Sequence, residues 1–259
     1  MKMIREIAQE IFNISEEKES RSGGEHEISL ESVIDRSKQE DQWPVDIKNI
    51  AQYIDHTNLK PYATKEDIIQ LCKEAEKYKF KTVCVSPVYV KLAKQHVKKV
   101  GVCSVVGFPH GANMASIKAA EAELAIEHGA SEIDMVISLA MLMSGEFDAV
   151  YEEIKLVAEK CHSKNVILKV ILETAILTMR QKIIAALIAK KAGADFVKTS
   201  TGFAAGGAIA RDVELLRQVV GPKMGVKASG GIDTKEKAET MLKAGANRIG
   251  ASKSLELIK

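Results

Sequence analysis

From Ile50 to Lys259, short apolar runs alternate with longer stretches in which apolar residues recur every three or four positions. A run of four to six apolar residues bounded by turn residues reads as a strand buried on both faces. The longer periodic stretches read as amphipathic helices. Strands are predicted near 51–55, 81–85, 102–107, 132–137, 166–171, 195–199, 225–228 and 247–250. Helices are predicted between them, near 64–78, 87–98, 114–128, 146–162, 178–192, 210–220 and 234–244, and a short one at 252–258 completes the last unit. Strands that are nearly all apolar imply a parallel sheet covered by helices. Eight such units favour a closed α/β barrel, the (β/α)8 TIM barrel, over an open doubly wound sheet.

Residues 1–48 break this pattern and form an N-terminal helical extension ahead of a barrel domain at 49–259. Ile4, Ile7, Ala8 and Ile11 share one helical face. The segment SEEKESRSGGEHE that follows is polar and reads as a flexible linker. A second short helix is predicted from Ile28 to Gln39, and Trp43-Pro44 closes the extension. A cap over one barrel end is the favoured role, with an interface element as the alternative.

Three helix ends enter strands as Gly-Ala, at Gly129, Gly193 and Gly245. Glycine suits the position just past a helix, where the backbone turns left-handed. Five residues beyond each glycine stand Asp134, Lys198 and Gly250. In a barrel, one layer of inward side chains comes from alternate strands. Asp134 and Lys198 are therefore expected in one interior layer, with Gly250 leaving space beside them.

Composition adds mainly exclusions. With a net charge of +2 and basic residues spread evenly, the chain offers no electrostatic case for nucleic acid or a membrane surface. The four cysteines form no CxxC pair and no zinc-ligand spacing, so no metal is expected. Free thiols suit a reducing compartment. The opening MKMIREIAQEIF is too charged for a signal peptide, and no apolar run approaches membrane length. A cytoplasmic enzyme is expected.

The chemistry centres on GADFVKTSTGF, which sets Lys198 inside a short apolar strand. Burial disfavours the charged ammonium, and a neutral amine is a nucleophile. A second lysine, Lys227 in GVKASGGI, lies on the next strand. Two inward lysines on neighbouring strands are expected to depress each other and prepare one for a Schiff base. The alternative for Lys198 is a side chain that snorkels to the strand end and binds an anion. Asp134 in SEIDMVIS is the best-placed carboxylate for proton transfer, and Lys169 in ILKVILE stands on the strand between Asp134 and Lys198. For Lys169 a purely electrostatic role is equally open.

Substrate contacts are expected from the loops after the last strands. Thr199, Gly202 and Gly206 lie in TSTGFAAGG, Gly230 and Gly231 follow strand seven, and Gly250 with Ser252 follows strand eight. Barrel phosphate sites use these loops together with a helix N-terminus. Asp55 and Thr57 are placed at the catalytic rim, where strand one ends, and His56 is read as structural. Cys84 packs as a small apolar residue and counts among the substrate-side positions. His110 marks a rim loop, and Met141-Leu142-Met143 reads as core or rim packing.

The motifs DHTNLKP, VCVSP, VVGFPHGAN, EIDMVIS, LKVILET, ADFVKTSTGF and GVKASGGI, in this order from about Tyr53 to Ser252, resemble those of the deoxyribose-phosphate aldolase family. The resemblance implies a class I aldolase on a TIM barrel, without metal or cofactor. It would cleave 2-deoxy-D-ribose 5-phosphate to D-glyceraldehyde 3-phosphate and acetaldehyde, as a homodimer. It implies that Lys198 is the Schiff-base lysine, Lys227 the lysine that perturbs it, Asp134 a proton-relay acid/base and Lys169 an additional active-site lysine. Three departures stand out. Ser138–Met143 replaces a run that often holds Asn, Gly and Lys. Asp233 replaces a phosphate-side Arg, and Lys253 replaces a Ser and joins the expected substrate contacts. A dianion repelled by Asp233 and partly compensated by Lys253 implies relaxed phosphate selectivity. Another lysine aldolase of the transaldolase kind, or a barrel that binds sugar phosphates without turnover, remain the alternatives.

Overall fold

The structure is a computed structural model that describes residues 3, 4, 6–10 and 45–259. Eight parallel strands close into one barrel in sequence order: β1 (Ile54–Asn58), β2 (Thr82–Val85), β3 (Gly101–Val106), β4 (Glu132–Val136), β5 (Ile167–Ile171), β6 (Phe196–Lys198), β7 (Gly225–Ser229) and β8 (Arg248–Ala251). Helices Lys65–Tyr78, Val90–His96, Ala115–Glu127, Phe147–His162, Met179–Lys191, Ala210–Val220 and Lys235–Lys243 cross between successive strands. The main apolar core lies between this helical ring and the outward faces of the strands. The barrel is the fold that the apolar periodicity predicts.

Local chemistry explains where the helices start and stop. Thr64 and Asp67 cap helix Lys65–Tyr78 reciprocally, and Thr178 and Gln181 do the same for Met179–Lys191. Gly129, Gly193 and Gly245 follow their helices at φ of +104°, +89° and +108°, a region that other residues enter at a cost.

Several elements depart from the predicted pattern. Residues Ile47–Tyr53 form a 3-10 helix, so β1 begins at Ile54 rather than near 51. The apolar run at 50–54 serves a buried turn and only the start of the strand. The helix expected over 87–98 is a 3-10 turn, Pro87–Tyr89, followed by Val90–His96, because Val97 is extended. An additional short helix, Leu139–Met143, follows β4, and the terminal segment is a 3-10 helix, Ser254–Ile258.

Among residues 3–10, Ile4, Ile7 and Ala8 are buried, as their spacing predicts. Met3 and Ile4 share a cleft with Met179, Ile209 and Leu215, and Glu10 pairs with Arg180 at 2.6 Å. Residues 3–10 thus lie against helices Met179–Lys191 and Ala210–Val220. The polar linker, the helix at 28–39 and Trp43-Pro44 lie outside the described residues. Among the described residues, no helix is long and apolar enough to cross a membrane.

Candidate active site

In a strand, residues two apart point to the same face. That rule places Glu132 and Asp134 of β4 together inside the barrel. The register then sets Lys169 of β5 opposite Asp134, Lys227 of β7 opposite Lys198 of β6, and Arg248 of β8 opposite Lys227. All of these side chains, and Asp55 of β1, are buried. Asp134 is the hub. Its Oδ1 accepts from Lys169 Nζ at 2.7 Å and from the Cys103 thiol at 3.2 Å. Its Oδ2 accepts from Lys198 Nζ at 2.8 Å and Lys227 Nζ at 2.7 Å. Four donors fill the roughly four lone-pair sites of a carboxylate.

A second tier lies beside this hub. Asp55 Oδ2 receives Lys227 at 2.5 Å, while its Oδ1 receives Arg248 at 2.8 Å and the Thr82 hydroxyl at 2.8 Å. Glu132 Oε2 is 2.7 Å from Lys169 Nζ and 2.8 Å from Arg248 Nη1. Arg248 also lies over the face of Phe196, 5.5 Å from its centroid.

The electrostatics correct one expectation. Burial alone would raise Asp134, but Lys169, Lys198 and Lys227 hold it well below the usual carboxylate range. Burial alone would lower Lys227, but Asp134 and Asp55 outweigh it and hold Lys227 above the ordinary lysine range. Lys169 is raised for the same reason, with Asp134 and Glu132 among its partners. The predicted mutual depression of Lys198 and Lys227 therefore fails for Lys227. The motif around Lys227 contains no carboxylate, so the sequence hides the two that reach it from β1 and β4. Lys227 instead presents a fixed positive charge beside Lys198.

Above the hub opens a cavity of about 330 Å³. Lys198, 3% exposed, reaches it from below. Of the predicted substrate contacts, Thr57, Gly202, Gly230, Gly231, Gly250, Ser252 and Lys253 line it. A side chain at Gly250 would come within 3.0 Å of Lys227 Cε, so this glycine does leave the expected space, and Lys227 fills it.

Four predicted contacts stand elsewhere. Asp55 lies inside the barrel rather than at its rim, because β1 starts three residues later than predicted. Thr199 is fully buried and bridges strands, donating to Ser229 O and accepting from Ser229 N. Gly206 faces Ala175, which a Cβ would meet at 2.6 Å. Cys84 does not line the cavity; it packs in a small cluster with Leu59, Cys103 and Val105, with its sulfur within 4.8 Å of an Asp134 oxygen. His56 is structural, bonded to Glu74 and Ser254. Leu142 is buried, whereas Met141 and Met143 are largely exposed.

Several residues of the site escaped the sequence reading. Lys60 joins Lys253 as a cavity-lining cation. Glu132 and Arg248 had a signal available, since each lies two residues before an inward position, Asp134 and Gly250. Cys103 had none. Asp233 lines the cavity but pairs with Lys237 at 2.7 Å. That hydrogen bond and charge, and Lys253, lower its pKa and keep it ionised, but the same two cations offset its charge, so its repulsion of an anion is smaller than the sequence implies.

Residues 49–254 match the model of the DeoC/LacD family aldolases. A deoxyribose-phosphate aldolase from Thermococcus gammatolerans is 55% identical over 215 residues, covering 82% of this chain and 96% of that protein. One from Clostridium botulinum is 54% identical over 212 residues, covering 81% and 99%. Among solved structures, a tetrameric deoxyribose phosphate aldolase from Aeropyrum pernix matches with a TM-score of 0.76 at 36% identity, covering 82% of this chain and 91% of that one. The aldolase QR15 matches with a TM-score of 0.78 at 40% identity, covering 81% and 94%.

Proposed function

The chain belongs to the DeoC/LacD family of aldolases, and on that premise we propose that it cleaves 2-deoxy-D-ribose 5-phosphate reversibly to D-glyceraldehyde 3-phosphate and acetaldehyde through a Schiff base on Lys198. One observation carries the reading. Lys198 borders the cavity and shares a single carboxylate oxygen with a second, fixed cation, Lys227.

The neutral amine of Lys198 attacks the C1 aldehyde of the open-chain sugar to give a carbinolamine, which loses water to form an imine. The imine, protonated on nitrogen, then accepts the electron pair of the C2–C3 bond as that bond breaks. The C3 hydroxyl gives up its proton, glyceraldehyde 3-phosphate departs and an enamine remains. Protonation at C2 and hydrolysis release acetaldehyde and restore the amine. Each stage moves a proton, and Asp134 is the group that handles it. At rest its oxygens are saturated by four donors, which makes it a poor base. When Lys198 is a neutral imine it has no N–H, so one of the donors to Oδ2 is removed and that oxygen can accept a proton. The basicity of Asp134 is thereby tied to the covalent state of Lys198. Lys227 and Lys169 keep Asp134 in place throughout.

The phosphate binds at the outer cavity wall, on backbone amides around Gly230, Gly231 and Ser252, with Lys60 and Lys253 supplying charge. Asp233 weakens selectivity for the phosphorylated sugar, by less than an unpaired carboxylate would. The enzyme acts in the cytoplasm as a homodimer, and sedimentation tests that state of assembly.

The decisive test is borohydride reduction in the presence of acetaldehyde, followed by peptide mapping. Added mass on the Lys198 peptide, absent in Lys198→Met, supports the mechanism. No adduct on any lysine refutes it and favours a barrel that binds sugar phosphates without turnover.

A further inference from the structure

We propose that Arg248 sets the protonation state of Lys198: it is the fourth cation over three buried carboxylates, and the surplus proton of the cluster leaves from Lys198. The inference rests on the Schiff-base reading above and explains how the nucleophile becomes neutral.

The count comes from every strand that faces the cluster. Asp55 enters from β1, and Glu132 and Asp134 from β4. Lys169, Lys198, Lys227 and Arg248 enter from β5, β6, β7 and β8. Cys84 and Cys103 face it from β2 and β3; burial pushes the Cys103 thiol well up, while the hydrogen bond with Cys103 lowers Cys84. Glu173, past the end of β5, is engaged by the Thr201 amide and hydroxyl and stands apart. With the carboxylates, lysines and arginine charged and both cysteines protonated, the cluster among the described residues holds three negative and four positive charges in a buried space. One proton is in excess.

Arginine does not release a proton in proteins, so the excess must leave a lysine. Lys169 is held by Glu132 and Asp134, both at 2.7 Å. Lys227 is held by Asp55 at 2.5 Å and Asp134 at 2.7 Å. Among the described residues Lys198 has one carboxylate partner, Asp134 at 2.8 Å. Losing the proton from Lys198 breaks the fewest ion pairs and leaves Asp134 with its other donors. Arg248 touches neither Lys198 nor the cavity. It acts by occupying Asp55 and Glu132, which would otherwise balance the lysines completely. Arg248 is thus a positioning residue, fixed by two carboxylates and by the Phe196 ring.

The test compares Arg248→Met, Arg248→Lys, Glu132→Gln and the double variant Arg248→Met/Glu132→Gln in the full chain. kcat/KM is followed from pH 5 to 10, with borohydride trapping at the alkaline end. Removing the cation retains the proton on Lys198, so Arg248→Met moves the acid limb of the profile upward by about one pH unit or more. That is about a tenfold loss below the limb, recovered at high pH. Arg248→Lys keeps the limb where it is. Glu132→Gln, which keeps Arg248, moves it downward, and the double variant restores the charge difference and brings the limb back. A uniform loss in Arg248→Met with the limb unmoved, or a double variant no closer to the parent, overturns the proposal. Absence of trapping on Lys198 in the parent enzyme would instead sink the Schiff-base reading.

Discussion

Lys198 and Lys227 donate to the same atom, Oδ2 of Asp134, at 2.8 and 2.7 Å. Two ammonium groups on one oxygen repel each other, and a third carboxylate contact, from Asp55, holds one of them more tightly. Lys227 has that contact and Lys198 lacks it.

Gly250 lies beneath Lys227. The Cβ of Gly250→Ala would meet Lys227 Cε at 3.0 Å and Ser229 Cβ at 2.9 Å. Gly250 has no need of a left-handed backbone, so the variant should fold. Displacing Lys227 by a fraction of an ångström should lower kcat on the order of 10²-fold, with KM nearly unchanged. Steady-state kinetics at full occupancy check this. A fully active variant would mean that the position of Lys227 does not govern turnover.

Acid should unfold the protein through the same cluster. Asp55 and Asp134 are both held below the ordinary range, because Arg248 and the lysines outweigh the effect of burial. A depressed carboxylate gives stability that is present above its unfolded pKa, about 3.9, and is lost as pH falls toward the folded value. The raised lysines, Lys169 and Lys227, have the opposite sign, and their contribution is complete below about pH 10. Tm should therefore stay nearly level from neutral pH down to about pH 5 and drop steeply below about pH 4. Calorimetry from pH 3 to 8 measures it, and a level Tm at pH 3 contradicts the account.

Outside the barrel interior, Lys118 and Glu153 form a buried pair at 2.7 Å between two helices. Lys118 also donates to Val136 O at 2.9 Å, and Glu153 accepts from Ser138 N at 2.5 Å. Together they clamp the end of β4, two residues past Asp134. Glu153→Leu leaves an unpaired buried ammonium and should cost about 3–5 kcal/mol. The double variant Lys118→Met/Glu153→Leu should recover much of that loss. Denaturant unfolding of the two singles and the double decides it, and strictly additive losses would show that the pair does not act as a unit.

At the cavity wall, Asp233→Arg should raise kcat/KM for deoxyribose 5-phosphate several-fold while leaving that for deoxyribose unchanged. A free cation there can meet the phosphate, although Lys237 loses its carboxylate partner and keeps, among the described residues, only Gly231 O. An unaltered ratio would show that Lys60 and Lys253 already satisfy the anion.

Much of the site was legible because strand periodicity is simple. Asp134 and Lys198 each fall five residues after a helix-ending glycine, and that phase alone placed them together. Glu132 and Arg248 followed the same alternation but were overlooked, since neither sits in a motif that suggests chemistry. Asp55 was set at the rim because the apolar run before it was read as strand, when it forms a 3-10 turn. Gly206 was read as a phosphate contact, but its lack of a side chain serves a close approach to Ala175.

The sequence by itself determined the alternation of strands and helices, the closed barrel that follows from it, and the identity of the lysine with the strongest case for covalent chemistry. Local forces produce these: apolar spacing, helix caps and left-handed glycines act within a few residues of themselves. The tertiary structure alone decided the charge state of the interior. Asp55 and Arg248 are 193 residues apart in the chain and 2.8 Å apart in space. Electrostatic energy depends on distance in three dimensions, and in a buried cluster every added carboxylate or guanidinium alters the balance for all the others.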